Sequence, residues 1–269
     1  MATFYDTHAH LDYPDFQPDF ADVLARARAA GITKMISIGT SFESSRRAVA
    51  LAEAHGEIFA VVGWHPSDAL AAPEDVRPTL RELAAHPKVV AIGETGLDYY
   101  RMPSAKGGTA EDDANYKRLQ AQIFQQQLEV AAELKLNCVI HQRGATLDDT
   151  LALMQPFAGM TRGVFHCFSG DLAALSRIRA LGSIVSFTGI VTFKNGQNVR
   201  DAAAAVPLGE FMLETDCPFL APIPYRGKRC EPAYVKEIAD TIAQVKGCSL
   251  EELSRATCAA AHLFFPKMV

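Results

Sequence analysis

The sequence predicts an α/β chain folded as a (β/α)₈ TIM barrel, one domain spanning 1–269. Three observations carry this. Eight short apolar runs alternate along the chain with longer segments of helical periodicity, and that alternation implies βαβ units and a parallel sheet. The length of 269 residues suits a single barrel, which takes about 250 residues. No Gly-rich G-x-G-x-x-G turn follows the first run, which argues against an open dinucleotide-binding sheet.

The runs are Phe4 to His8, Met35 to Gly39, Ile58 to Gly63, Val89 to Glu94, Cys138 to His141, Gly163 to His166, Ile184 to Thr188 and Phe211 to Asp216. The clearest helical segment spans about 115–134, where Phe124, Leu128, Ala131 and Leu134 form one apolar stripe. A shorter one runs from Asp171 to Leu181, and Ser41 is a suitable N-cap for the segment Ser44 to Ala54. The polar stretch Arg101 to Ala114 reads as a mobile loop, and Ser249 to Phe265 as a final amphipathic helix. No Pro, Gly or charge cluster marks a boundary midway.

Hydrophobic residues make up 49% of the chain, ample for a buried core. No stretch approaches the roughly 20 apolar residues of a membrane span. The N-terminus enters a strand without a basic region and an apolar one before it, so a cytoplasmic protein is expected. Six cysteines without a C-x-x-C pair read as free thiols, Cys167 and Cys217 as packing residues. A net charge of -5 excludes a protein that coats duplex nucleic acid by electrostatics alone, but not a nucleic-acid enzyme with localised positive charge.

Active sites of parallel barrels lie where strands end, so the last residues of each run matter most. His8 and His10, one residue apart, point to the same side of the first strand. Glu94 closes the fourth run, His141 the fifth, His166 the sixth and Asp216 the eighth. Closure brings the eighth strand beside the first. Glu94 can bridge, since a carboxylate offers one oxygen to each of two cations. One ion is expected on His8, His10, Glu94 and Asp216, and the other on Glu94, His141 and His166. Two ions about 3.5–4 Å apart activate water and stabilise both oxygens of a displacement. Imidazole donors suit Zn, Mn, Fe or Ni better than Mg.

Asp216 is the best general base, taking a proton from the attacking water and returning it to the leaving alkoxide. Glu214 is expected beneath it in an internal ion pair, and Asp6 as a partner orienting an imidazole. His65 ends the third strand, where a substrate phosphate can bind. Arg143 shares the face of His141, and its guanidinium suits phosphate. Arg226 lies in the loop after the eighth strand, where barrels often hold phosphate, while Lys228 and Arg229 read as solvated loop charge. Trp64, Tyr99, Tyr100 and Phe168 sit at strand ends, where an unpaired base can stack; Trp64 serves equally well as a core cap. His55, His86 and His262 fall on helices or their ends and read as surface or packing residues.

Seven motifs, DTHAHLD at 6–12, GWHP at 63–66, GETGLDYY at 93–100, IHQR at 140–143, HCFSG at 166–170, ETDCPFLAP at 214–222 and PYRGKR at 224–229, cover nearly the whole chain. In these the sequence resembles the TatD-type metal-dependent deoxyribonucleases, within the amidohydrolase-like barrels. The resemblance implies a divalent-metal site at the positions above and metal-dependent hydrolysis, in several members of DNA or RNA from the 3′ end. The chain departs from the family pattern at Cys230 and Ala259, where Asn is usual, and neither is an expected ligand.

The leading expectation is a hydrolase that uses two divalent ions (Mg, Mn or Zn) to cleave phosphodiesters at single-stranded nucleic-acid ends, with no membrane and no obligate protein partner. The alternative is hydrolysis of a carboxylic ester, amide, lactone or aminoacyl-RNA bond, favoured if Arg143 and Arg226 turn from the metals. A non-catalytic binding module would be expected to have lost a ligand, and none is missing.

Overall fold

The computed structural model describes residues 2–268. Eight parallel strands follow one another in chain order: β1 Phe4–Ala9, β2 Ile32–Ile38, β3 Ile58–Val62, β4 Val89–Asp98, β5 Asn137–Arg143, β6 Gly163–Phe165, β7 Ile184–Phe187 and β8 Phe211–Leu213. The helices between and after them are α1 Phe20–Ala29, α2 Phe42–Ala54, α3 Arg77–Ala84, α4 Ala110–Leu134, α5 Leu147–Met154, α6 Leu172–Ala180, α7 Gln197–Ala205, α8 Val235–Lys246 and α9 Leu250–Phe264. The ring closes where the Asp216 N–H donates to the His8 carbonyl at 2.9 Å and the His10 N–H to the Cys217 carbonyl at 2.8 Å. The closing bonds thus lie among three of the expected ligands.

Two expectations about extent are corrected. β4 runs on through Asp98, because Gly96, Leu97 and Asp98 pair with His141, Gln142 and Arg143 of β5. The loop expected over 101–114 is shorter, since α4 starts at Ala110 behind a capping box in which Thr109 and Asp112 satisfy each other's backbone N–H groups. Ser41 caps α2 as expected, accepting from the Ser44 N–H at 3.2 Å.

Alternation divides each strand's side chains between two apolar layers. Ile36, Ile38, Val61, Val90, Val139, Val164, Ile184 and Met212 fill the barrel interior, joined by Phe264, Phe265 and Met268. The end of α9 and the residues after it therefore plug the barrel opposite the strand ends that carry the chemistry. Phe264 and Phe265 are fully buried, each contributing about 1.5–3 kcal/mol on area grounds. Ala259 faces solvent on α9. Cys230 is buried, its N–H donating to the Pro218 carbonyl at 3.0 Å.

α4 does more than cover the sheet. The Gln127 amide accepts from the Trp64 N–H and donates to the Trp64 carbonyl, both at 2.9 Å. Two turns earlier the Gln120 amide does the same for Asp98, at 2.8 and 3.0 Å. Both glutamines are buried, so they stand in for strand partners where β3 and β4 lead into their loops. Replacing Gln127 by Leu would leave the half-buried N–H and carbonyl of Trp64 and the buried Thr95 hydroxyl without this partner. The expected loss is about 3 kcal/mol, read as a melting temperature lower by ~6–12 °C.

Candidate metal centre

Glu94 is the hub. Its Oε2 lies 3.6 Å from His8 Nε2 and 3.8 Å from His10 Nε2. Its Oε1 lies 2.8 Å from both His141 Nδ1 and His166 Nε2. Asp216 Oδ1 is 3.3 Å from His10 Nε2 and 3.6 Å from His8 Nε2. All six side chains expected at the strand ends converge, and the two oxygens of Glu94 face different partners. The closure of the ring explains one half and the β4–β5 pairing the other.

The glycines around Glu94 make this possible. Gly96 has φ +136, and a Cβ there would stand 2.1 Å from the His141 carbonyl oxygen; Gly93 has φ +137, with the Val139 carbonyl oxygen 2.5 Å from its would-be Cβ. Only glycine allows both the backbone angle and the close approach to β5. At the other ends that carry candidate donors, Asp216 and Cys167, next to His166, adopt left-handed φ of 56° and 50°. Such conformations concentrate at functional sites.

The donors suit a divalent cation. His8 Nε2 is buried without a hydrogen-bond partner, although two carboxylate oxygens stand 3.6 Å away. That spacing is too long for an N–H···O bond and leaves room for a cation between them. Three groups of donor atoms lie within 4.8 Å of one another: His8, Glu94 and His166; His8, His10 and Asp216; His65, Glu94 and His141. Burial pushes the Glu94 carboxyl up, but His166, His65 and His141 outweigh it and hold it well below the usual carboxylate range. Asp216 is likewise held down against burial, chiefly by His10 and His8. Both therefore present the ionised form that a cation requires.

His65 reaches this cluster too, with Nε2 3.3 Å from Glu94 Oε1 and 3.2 Å from His141 Nδ1. Its Nδ1 accepts from the Ser67 N–H at 3.1 Å, and burial lowers its pKa. A neutral ring bonded in this way carries its proton on Nε2, which makes it a donor rather than a ligand. His141 is the reverse case. Its Nε2 lies 3.2 Å from Asp98 Oδ2 and its Nδ1 2.8 Å from Glu94 Oε1, so a cation held by Nδ1 would replace the proton shared with Glu94.

Asp98 is the residue that the strand-end reading missed. The available clue was its even spacing from Glu94 along one strand, hidden because the run seemed to stop at Glu94. A carboxylate on the far nitrogen orients a ligating imidazole and raises its basicity. An Asp98→Ala protein is expected to bind divalent metal ~10–100-fold more weakly, measured by titration calorimetry.

One neighbouring acid differs from expectation. Asp6 orients no imidazole: it accepts from the Thr215 N–H at 2.9 Å, the Thr215 hydroxyl at 2.5 Å and the His8 N–H at 3.3 Å. It ties β1 to the end of β8. Glu214 makes the internal pair expected of it: its Oε1 lies 3.7 Å from His166 Nδ1 and accepts from the Cys167 N–H at 2.6 Å. Asp12 turns to α2, bound by Ser44 Oγ at 2.7 Å and Arg47 at 2.9 Å.

The mouth residues separate as clearly. Phe168 is buried and cannot stack on a base. Trp64 packs edge-on against Phe42, and its indole N–H donates to the Asp68 carbonyl at 3.0 Å. Tyr99 donates to Asp149 at 3.0 Å, and Tyr100 is exposed. Arg143 lies over the Tyr100 ring at 4.1 Å and Arg226 over Phe193 at 3.9 Å. Arg229 is not solvated loop charge: it pairs with Asp19 at 2.7 Å and covers Phe16.

Comparison with known proteins agrees with this architecture. The family model described as TatD related DNase matches residues 5–266. The chain is 37% identical over 261 residues to YabD of Bacillus subtilis, an uncharacterized metal-dependent hydrolase, covering 97% of this chain and 98% of that one. It is 35% identical over 261 residues to the 3′-5′ ssDNA/RNA exonuclease TatD of Enterobacter lignolyticus, covering 94% and 95%. The crystal structure of YJJV, a TatD homologue from Escherichia coli, matches with a TM-score of 0.88 at 28% identity over 98% of both chains. Kinship over nearly the whole length and a donor set built for divalent cations point the same way, and this protein belongs to the TatD family of metal-dependent hydrolases.

Proposed function

We propose that the protein is a two-metal hydrolase that removes nucleotides from single-stranded DNA or RNA, working from the 3′ end. The observation that carries this is the division of Glu94, with Oε2 toward His8 and His10 and Oε1 toward His141 and His166. One ion would sit on His8, His10, Glu94 and Asp216, the other on Glu94, His141 and His166. Bound there, Mg, Mn or Zn supplies Lewis acidity and a water of lowered pKa.

The chain's own groups do the rest. Asp216, ionised and next to His10, takes the proton of the attacking water and returns it to the leaving oxygen. His65 Nε2–H donates to a phosphate oxygen. Arg143 and Arg226 form no ion pair with a carboxylate among the described residues, so both guanidinium groups are available to phosphate. The exonuclease named among the relatives supports the same substrate class. No helix among the described residues is long and apolar enough to cross a membrane, and six free thiols go with a cytoplasmic setting.

The test is incubation of the purified protein with single-stranded DNA and RNA in Mg²⁺, Mn²⁺ or Zn²⁺. Mononucleotide release that disappears in Asp216→Asn is the expected outcome. Release with none of these metals, or activity that survives the substitution, would refute the proposal.

A further inference from the structure

The sequence points to four aromatic residues at the strand ends, yet the structure sets a fifth ring half open beside Asp216 and His10. Phe219 follows Asp216 by three residues, and its N–H donates to the Asp216 carbonyl at 3.0 Å. Its ring is 51% exposed. It meets His10 and Tyr13 at near-perpendicular angles of 68° and 82°, with centroids 6.1 Å away in each case. Tyr13 in turn lies nearly flat against His10 at 4.8 Å. These contacts fix the orientation of Phe219 relative to two residues of the metal centre while half of its surface stays open. The other rings around the mouth are engaged: Phe168 is buried, Trp64 is packed on Phe42, and Tyr100, although 62% exposed, and Phe193 each have a face taken by Arg143 and Arg226.

We infer that Phe219, braced by Tyr13, is the stacking platform for an unpaired nucleobase adjoining the phosphodiester under attack. This rests on the proposed nucleic-acid reading and adds a reason for its strand preference. A base in a duplex is already stacked and paired, whereas a free one gains a ring to lie on. Stacking is tolerant of sequence because every base has a π-face, so the platform selects for an unpaired end and against none of the four bases.

The experiment measures binding, not turnover. A 5′-fluorescein-labelled single-stranded oligonucleotide with hydrolysis-resistant phosphorothioate linkages at its 3′ end is titrated with the protein in Mg²⁺, and anisotropy gives Kd. A second oligonucleotide carries abasic residues at its last two positions. Wild-type protein is expected to bind the base-bearing end about tenfold more tightly. Phe219→Ala is expected to weaken that oligonucleotide to the abasic value, and Phe219→Trp to keep the difference. Equal Kd values for the two ends in wild type, or a difference that survives in Phe219→Ala, overturns the inference. Discrimination without hydrolysis of any nucleic acid would sink the exonuclease reading and leave the platform standing.

Discussion

Glu94→Gln is expected to abolish divalent-metal retention and lower hydrolysis by roughly 10³-fold or more, a loss of ~4 kcal/mol in transition-state stabilisation. The substitution keeps the shape of the side chain and removes its charge. One amide position becomes an N–H₂ donor aimed at imidazole nitrogens, either the pair 2.8 Å from Oε1 or the pair 3.6 and 3.8 Å from Oε2. Whichever way the amide turns, one donor group loses its shared oxygen and both lose the charge. Metal analysis after dialysis and a rate assay on the same preparation check this. Wild-type metal content in Glu94→Gln would mean that the two-sided carboxylate is not the centre.

Gly96→Ala should have the largest effect on stability, about 3–5 kcal/mol, with a melting temperature lower by ~10 °C or more. The added Cβ would meet the His141 carbonyl oxygen at 2.1 Å on a residue at φ +136. Relief requires β4 to part from β5 between Thr95 and Asp98, the pairs that bring Gly96 opposite His141 and Asp98 opposite Arg143. Metal affinity should therefore fall together with stability. Gly56 is the control, because a Cβ there meets nothing within 4 Å, and Gly56→Ala should melt within a few degrees of wild type. An unchanged melting temperature in Gly96→Ala would show the β4–β5 register to be wrong.

The six converging donors were legible in the sequence because each ends an apolar run, and the strand ends of a parallel barrel meet at one face. His65 was also legible as a mouth residue, though not the hydrogen bond from Ser67 that makes it a donor. The four stacking candidates fared unevenly. Phe168 follows His166 by two residues, yet a left-handed turn at Cys167 precedes it and its ring packs edge-on against Phe187. Strand alternation gives no warning of such a turn.

By itself, then, the order of residues determined the barrel and the kinds of donor gathered at its strand ends. Those depend on local periodicity and on the residue that closes each run, both of which are properties of short segments. Only the tertiary structure decided that Asp98 holds His141, that Gln120 and Gln127 reach across from α4, and that Phe219 stands open beside Asp216. Each of these joins groups brought together by pairing or packing, and distance across a folded ring has no counterpart in spacing along the chain.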